Sequence, residues 1–133
     1  MKAIRIHSYG GPEVLQLDEI ERPEPAPGFA CVRVRTAGVN FIDVYQRTGR
    51  YSGALPFTPG MEGAGIVESV GEGVYDLKPG DRVGWASYQG SYAEFATIPA
   101  ARLIPLPSAV SNEVAGAVLL QGMTAHYLAR STY

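Results

Sequence analysis

The residues best suited to chemistry lie in one stretch of the chain, residues 37–73. It carries an amide at Asn40 and phenols at Tyr45 and Tyr51. A guanidinium at Arg47 lies between the phenols, and a glycine-rich run follows at residues 60–65. Polar side chains of mixed chemistry between glycines and strands are typical of a small-molecule site on a β scaffold. We expect the other segments to support this site.

Most sequence signatures of catalysis are missing from the chain. It contains no G-x-S-x-G, H-E-x-x-H, C-x-x-C or P-loop pattern. The glycines at positions 60, 63 and 65 have the wrong spacing for a dinucleotide fingerprint. Those at 71 and 73 lack a third glycine and precede a turn. The chain therefore holds at most half of a nucleotide site.

The composition indicates one globular domain without a nucleic-acid signature. The 133 residues are 46% hydrophobic and 18% charged, with a formal net charge of −2. Cys31 is the only cysteine, so intrachain disulfides and cysteine-based metal sites are excluded, and we expect a buried thiol. No apolar run approaches the roughly 18 residues of a membrane span, and the alternating N-terminus lacks a signal-peptide core. We expect a cytoplasmic protein with neither membrane nor nucleic acid as partner.

The elements that position the site are mostly predicted strands. Alternating apolar and polar residues predict strands at residues 1–9, 14–20, 29–37, 62–70, 82–86 and 91–98, and a short extended end at 103–107. Turns rich in glycine and proline separate them. Seven or eight short strands followed by helix predict a compact β-barrel with a helical exit, in a mainly β (α+β) fold.

Helices are predicted after the third strand and at the end of the chain. Apolar residues recur at helical spacing over residues 41–48, and Asn40 is placed to be the N-cap. Ser111 is the expected N-cap of a helix whose apolar part covers 114–120. Gly122 is expected to interrupt it, and a further helix is predicted at 123–130.

Three motifs give the chain a resemblance to a known superfamily. They are GVN at 38–40 with Asp43, PGMEGAG at 59–65, and VGEGV at 70–74 followed by KPGDRV at 78–83. From end to end the chain resembles the N-terminal catalytic domain of the medium-chain dehydrogenase/reductase superfamily. The segments GGPEVL at 10–15, NFIDVY at 40–45 and QGMTAHYL at 121–128 are similar to its zeta-crystallin-like NADPH:quinone oxidoreductase branch. The resemblance implies a GroES-like, partly open β-barrel with peripheral helices, and a Rossmann domain that this chain lacks.

The zinc ligands of the superfamily's alcohol dehydrogenases are replaced in this sequence. Those enzymes place a Cys after Gly-Val and a His before the Glu of the second motif, where this chain has Asn40 and Met61. An amide and a thioether do not replace a thiolate and an imidazole at a tetrahedral zinc site. The cysteines of the structural zinc lobe are also missing. We expect no metal, as in the quinone reductase branch.

Without zinc, hydrogen-bond donors must polarise the acceptor carbonyl during hydride transfer. The resemblance implies that the catalytic residues are Asn40, Tyr45 and Tyr51, with Tyr51 nearest the acceptor. It further implies contacts to NADPH from Asn40, Phe41, Asp43, Tyr45, Gln121 and Thr124. Three alternatives stay open: Asn40 as a helix cap only, Tyr45 as a core residue, and Tyr51 as a loop aromatic.

The resemblance also implies what the whole protein does. The parent enzyme would transfer hydride from NADPH to a quinone or similar conjugated carbonyl, as a homodimer. Residues 1–120 would form the catalytic domain and residues 121–133 a helix leading to a nucleotide-binding domain. The chain is thus expected to be a fragment and inactive alone. An enoyl or enone reductase of the same superfamily and a non-catalytic, crystallin-like structural or binding domain remain alternatives.

Overall fold

The computed structural model describes residues 1–132 and is built mainly from β-strands. Within these residues the strands are β1 (Lys2–Ile6), β2 (Leu15–Glu19), β3 (Phe29–Gly38), β4 (Glu62–Val70), β5 (Arg82–Ala86), β6 (Phe95–Pro99) and β7 (Ile104–Pro105). The helices are α1 (Phe41–Arg47) and α2 (Asn112–Arg130), with 3-10 turns at Pro12–Val14 and Ala100–Arg102. The predicted mainly β class is confirmed.

Five strands form one antiparallel sheet in the order β6-β3-β4-β5-β7, and β1 pairs with β2 in a separate hairpin. Isolated bridges join the hairpin to the rest of the fold, from Ala3 to Ala93 and from Ile6 to Phe57. These bridges bring β1 against the segments around the five-stranded sheet. The result is the partly open barrel that the sequence predicts.

The core lies on the inner face of the five-stranded sheet, around Trp85. This indole is fully buried and donates its N–H to the carbonyl of Tyr88 at 3.2 Å. Gly63 lets the ring lie against β4, because a Cβ there would stand 2.5 Å from a ring carbon. The predicted buried thiol of Cys31 is confirmed, and burial raises its pKa. A register shift between Cys31 and Val32 allows these two consecutive residues both to be buried.

Helix α2 packs on β3, β4 and β5 and is continuous from Asn112 to Arg130. Ser111 is its N-cap, as predicted, and its hydroxyl accepts the N–H of Val114 at 3.2 Å. The predicted interruption at Gly122 is wrong. A single glycine costs only about 1 kcal/mol in a helix, which is too little to end a helix that is hydrogen-bonded on both sides of it. No helix among residues 1–132 is both long and apolar enough to cross a membrane.

One predicted strand begins too early. The sequence predicts a strand at 91–98, whereas β6 begins at Phe95. The backbone N–H groups of Ser91, Tyr92 and Glu94 go instead to the carbonyls of Gly60, Pro59 and Lys2, at 3.2, 3.1 and 3.0 Å. Residues 91–94 therefore hydrogen-bond to the loop before β4 and to β1, and the chain pairs regularly with β3 only from Phe95 onward.

Candidate functional site

The site is organised around the turn between β3 and α1. Asn40 is the N-cap residue of α1, in extended conformation with φ −129°, and Asp43 lies in the first helical turn. The Asp43 carboxylate accepts the backbone N–H of Asn40 at 2.9 Å, and the Asn40 carbonyl accepts the N–H of Asp43 at 3.0 Å. Asn40 and Asp43 are only 8% and 7% exposed, so this helix start faces the interior.

The Asn40 amide is fixed on both sides by other side chains. Its Nδ2 donates to Oε2 of Glu62 at 2.9 Å, and its Oδ1 accepts from Nε2 of Gln121 at 3.2 Å. Asn40 is thus more than a helix cap, because its side chain joins β4 to α2. One hydrogen on Nδ2 remains for a further acceptor, since an amide nitrogen carries two.

Glu62, on β4, is the buried centre of this group. It is fully buried, and its second oxygen, Oε1, accepts the backbone N–H of Leu120 at 2.8 Å. Gly38 leaves room for the Glu62 carboxylate and for α2, because a Cβ at Gly38 would lie 2.1 Å from that carboxylate and 2.4 Å from the carbonyl of Gly116. We call Asn40, Asp43, Glu62 and Gln121 the polar cluster.

Glu62 is not among the predicted site residues, although one feature of the sequence pointed to it. Glu62 interrupts an otherwise apolar and glycine-rich run at residues 60–67 that forms a buried strand. A charged residue on a strand that is buried along its length needs partners. Tyr92 was missed as well, since it lies in the segment assigned to a regular strand.

Tyr92 extends the polar cluster behind α1. Its hydroxyl donates to Oδ2 of Asp43 at 2.8 Å. Burial raises the pKa of Tyr92 well above its ordinary value, and the hydrogen bond to the Asp43 carboxylate and the charge of that carboxylate raise it further. The phenol therefore stays protonated and keeps the carboxylate oriented toward Asn40.

The predicted aromatic residues form a second group on the outer side of α1. The ring centroids of Phe41 and Tyr45 lie 5.2 Å apart and those of Tyr45 and Tyr51 5.4 Å apart, both edge to face. Phe41 is 71% exposed and Tyr51 55%, whereas Tyr45 is partly buried between them. We call Phe41, Tyr45 and Tyr51 the aromatic row. Its exposed rings offer a flat apolar ligand a surface to stack on.

The loop that carries Tyr51 is tied to the barrel at several points. The backbone N–H of Tyr51 donates to the carbonyl of Tyr45 at 3.1 Å. The Tyr9 hydroxyl lies 2.7 Å from both the N–H and the carbonyl of Gly53. Gly49 has φ +78°, and a Cβ there would lie 2.8 Å from the Tyr9 ring. Tyr51 is thus held in place, which argues against a loose loop aromatic.

A cavity of about 210 Å³ opens beside Tyr51 and is lined by Gln46, Tyr51, Ser52, Gly53, Ala54, Phe57 and Gln89. It lies below the range of roughly 300–1,000 Å³ that is usual for drug-sized ligands. The Oε1 atom of Gln46 is buried and has no hydrogen-bond partner among the described residues. The cavity thus suits a small ring system that carries polar groups, because its walls are about equally polar and apolar.

The remaining predicted residues lie around these two groups. Thr124 is exposed on α2, three residues beyond Gln121 and hence on the same helix face, and its hydroxyl donates to the carbonyl of Leu120 at 2.8 Å. Arg47 points elsewhere: its guanidinium donates to the carbonyl of Gly10 at 2.7 Å. Arg47, which the sequence places among the residues suited to chemistry, therefore binds the turn after β1 instead.

The positions of the superfamily's zinc ligands are used differently here. The thioether of Met61 accepts a hydrogen bond from Nε2 of Gln46 at 3.4 Å, and Asn40 contacts Glu62 and Gln121. Within residues 1–132, no three His, Cys, Asp or Glu side chains are grouped as metal ligands. This geometry can orient the Asn40 amide beside the exposed rings of the aromatic row.

Comparison with known proteins adds a family to this geometry. A family model described as the alcohol dehydrogenase GroES-like domain matches residues 26–108. Quinone oxidoreductase of Pseudomonas aeruginosa is 45% identical over 134 residues, which cover 99% of this chain and 41% of that protein. Quinone oxidoreductase 1 of Escherichia coli is 46% identical over 132 residues, which cover 98% of this chain and 40% of that protein.

Solved structures agree with the family match. The structure of Escherichia coli quinone oxidoreductase complexed with NADPH superposes with a TM-score of 0.97 at 44% identity, over 100% of this chain and 41% of that chain. The predicted GroES-like fold is confirmed by these likenesses. The chain spans only 41% and 40% of the length of the two curated relatives.

Proposed function

The chain belongs to the alcohol dehydrogenase GroES-like domain family, and from that premise we propose that it is the catalytic domain of a zinc-independent, NADPH-dependent quinone oxidoreductase. The observation that carries the proposal is that two groups of side chains, the polar cluster and the aromatic row, meet at one short helix, α1. The polar cluster fixes the Asn40 amide, and the aromatic row offers stacking rings beside it. Two relatives named quinone oxidoreductase, 45% and 46% identical over nearly the whole chain, support the same activity.

The residues present fit the nicotinamide end of the cofactor. Gln121 and Thr124 offer an amide and a hydroxyl on one face of α2, and Phe41 offers an exposed ring next to Asn40. No glycine-rich turn suited to a pyrophosphate is found in the sequence. When bound, NADPH supplies a hydride and becomes NADP⁺, and with one proton from solvent the quinone becomes a hydroquinone.

The residues of this chain would position the acceptor more than activate it. A ring stacked on Phe41 and Tyr51 is oriented relative to the Asn40 amide, and such orientation lowers the entropic barrier to transfer. The free Nδ2 hydrogen of Asn40 and the hydroxyls of Tyr45 and Tyr51 are the donors available for a carbonyl or the cofactor amide. The catalytic assignment therefore rests on Asn40, Tyr45 and Tyr51, and the cofactor assignment adds Phe41, Asp43, Gln121 and Thr124.

The domain boundary is part of the proposal. Residues 1–120 would be the catalytic unit, and the remainder of α2 would lead toward a nucleotide-binding domain, as its bare apolar side chains suggest. Met123, Tyr127 and Leu128 are each more than 50% exposed. Because exposed apolar patches favour association, this surface would be covered in the whole protein. A homodimer of the whole protein stays a prediction.

Turnover assays on the protein as its gene encodes it test the activity. We expect NADPH-dependent reduction of 1,4-naphthoquinone, and little or no reduction of an enoyl thioester under the same conditions. The reverse preference would favour the enone-reductase alternative. Absence of both activities in a folded protein would favour the non-catalytic alternative.

Two binding measurements test the rest. Elemental analysis should find no stoichiometric zinc, since Asn40 and Met61 replace the thiolate and imidazole ligands; about one zinc per chain would contradict this. Calorimetry on residues 1–133 alone should find NADPH binding no tighter than about 1 mM, or about −4 kcal/mol. Micromolar binding would mean that this chain contains a phosphate site.

A further inference from the structure

A cation stands at the outer edge of the aromatic row. Arg50 is exposed, and its Cζ lies 4.6 Å from the centroid of the Tyr45 ring. Tyr45 in turn contacts Tyr51, which lines the cavity. A guanidinium stacked on a ring uses its flat face and leaves its N–H edge available for an anion.

The Arg50 charge has no carboxylate partner among the described residues. In residues 1–132 the salt bridges join His7 to Asp18, and Arg22 and Arg33 to Glu68. The nearby Arg47 guanidinium binds the neutral carbonyl of Gly10, so it adds a second positive charge at this end of α1.

Two acidic residues lie in the same region, and neither forms a salt bridge with Arg50 within residues 1–132. Glu13 accepts the backbone N–H of Gly11 at 2.7 Å, on the far side of Gly10. Asp43 is buried behind α1, where it accepts from Asn40 and Tyr92. The exposed side of the aromatic row therefore carries positive charge.

The Arg50 backbone is held from both sides. Gly49 donates its N–H to the carbonyl of Gln46 at 3.2 Å, and Tyr51 donates its N–H to that of Tyr45 at 3.1 Å. Tyr9 packs under Gly49 and anchors Gly53. The backbone that carries Arg50 is thus fixed next to Tyr51, which lines the cavity, while the guanidinium lies over the Tyr45 ring.

We propose that Arg50 makes this site selective for planar acceptors that carry a negative charge, a carboxylate or sulfonate attached to the quinone ring. The inference rests on the proposed function and names its substrate class. The ring would stack on the aromatic row, and the anionic group would accept hydrogen bonds from the guanidinium edge. A neutral quinone of the same size would stack equally well but lose that contact.

A matched pair of acceptors tests the proposal. One is a 2-methyl-1,4-naphthoquinone with a propanoate side chain at carbon 3, and the other is its methyl ester. The ring and its reduction chemistry are the same in both. In the protein as its gene encodes it, kcat/KM for the acid should exceed that for the ester by about two- to fivefold at low salt, the upper part of the range of exposed charge pairs. Because salt screens such pairs, the preference should shrink toward one at about 0.5 M salt.

Substitutions assign the effect to Arg50. Arg50→Gln should bring the acid-to-ester ratio of kcat/KM close to one, and Arg50→Lys should keep part of it. Arg102→Gln makes the same charge change at another exposed arginine, on the turn between β6 and β7, and should leave the ratio as in the wild type. Thermal melts of the variants should match the wild type, since Arg50 is exposed.

Three outcomes would overturn the proposal. One is equal kcat/KM for acid and ester in the wild type at low salt. Another is that Arg50→Gln lowers both equally and raises KM for NADPH, which would assign the guanidinium to a cofactor phosphate. The third is that neither quinone is reduced, which would contradict the proposed function itself and is distinguished from the first two by the absence of turnover.

Discussion

The two sides of helix α1 are built in opposite ways. On the inner side, Asn40 and Asp43 are almost fully buried and form hydrogen bonds of 2.8–2.9 Å with each other, Glu62 and Tyr92. Only Oδ2 of Asp43 is bonded, since its Oδ1 has no partner among residues 1–132. On the outer side, Phe41 and Tyr51 are mostly exposed and contact their neighbours only edge to face.

We interpret the inner side of α1 as structural and the outer side as the ligand-binding surface. Buried polar groups are costly to leave unpaired, so the polar cluster fixes where α1 and α2 stand relative to β4. Exposed rings cost little to change and are free to meet a ligand. We therefore expect substitutions in the polar cluster to change stability and substitutions in the aromatic row to change kinetics, and the predictions below test this division.

The largest effect is expected from Glu62→Ala. It leaves the Asn40 amide and the Leu120 N–H without their acceptor in a fully buried place. At roughly 1–3 kcal/mol for each of the two unpaired donors, the free energy of unfolding should fall by about 2–6 kcal/mol. Urea denaturation of the chain, followed by fluorescence of the buried Trp85, measures this.

Glu68 on the same strand provides the matched control. Its carboxylate is bound by Arg22 and Arg33 at the surface, so Glu68→Ala should move the urea midpoint far less. Glu62→Gln should fall between the two, because both Glu62 oxygens accept hydrogen bonds and a carboxamide has only one oxygen. Equal shifts for Glu62→Ala and Glu68→Ala would refute the assigned role of the polar cluster.

Asn40→Ala should affect both stability and kinetics, because Asn40 belongs to the polar cluster and borders the aromatic row. It leaves Oε2 of the fully buried Glu62 without this partner, at about 1–3 kcal/mol in unfolding free energy, whereas water can replace the partner of the exposed Gln121 side chain. In the protein as encoded, kcat/KM for a quinone should fall more than about tenfold, because the variant lacks a hydrogen-bond donor to the negative charge that develops on the acceptor. Steady-state rates at saturating NADPH measure this.

Val39→Ala is the control for Asn40→Ala, since Val39 is the neighbouring residue and is 78% exposed. It should leave the free energy of unfolding nearly unchanged. If Asn40→Ala reduced stability but kept kcat/KM within about threefold, Asn40 would be a structural residue only, and the acceptor assignment would rest on the tyrosines.

Tyr92→Phe should give a smaller and pH-dependent effect. The variant loses one hydrogen bond to Asp43, about 0.5–1.5 kcal/mol near neutral pH. Because the pKa of Tyr92 is raised in the folded state, its contribution is complete below the unfolded value of about 10 and is lost as the pH rises above it. The stability difference between wild type and variant should therefore stay constant up to about pH 10 and shrink progressively above it, as urea midpoints from about pH 8 to about pH 12 would show.

A stability difference that stayed constant across that range would contradict the raised pKa. The comparison is internal, because every other tyrosine is present in both proteins and its titration cancels.

Much of the barrel could be predicted because its strands follow simple alternation and its turns carry glycine and proline. β4 and β5 begin and end where the sequence predicts. The segment 91–94 failed, because alternation shows that a segment is extended but not which neighbours accept its N–H groups. The prediction at Gly122 failed because one glycine costs only about 1 kcal/mol in a helix, too little to end it at this exposed position.

The two sides of α1 were predictable to different degrees. The aromatic residues could be recognised from the sequence, since Phe41 and Tyr45 lie at helical spacing and Tyr51 follows in the next loop. Glu62 and Tyr92 did not, because their roles depend on long-range contacts, such as that between Glu62 and Leu120, 58 positions apart. Hydrogen-bond partners across a barrel are set by strand register, which local sequence does not reveal.

Tyr51→Phe should give the smallest effect and decides what kind of site this is. The change removes one hydroxyl from an exposed ring whose backbone stays anchored to Tyr45. If that hydroxyl only helps to bind the acceptor, its loss is worth about 0.5–1.5 kcal/mol and appears mainly in KM. If it stabilises charge in the transition state, the loss is nearer 2.7–4 kcal/mol and appears in kcat.

Quinones accept hydride readily, so we expect the smaller value for Tyr51→Phe, with kcat/KM lowered less than about tenfold. Tyr75→Phe is the control, because Tyr75 is 91% exposed and lies outside the aromatic row, and it should leave the kinetics unchanged. Loss of turnover in Tyr51→Phe with intact NADPH binding would make Tyr51 an obligate proton donor. The outer side of α1 would then do chemistry as well as stacking, and reduction of an enone, which needs a proton delivered to carbon, would become the better description of the site.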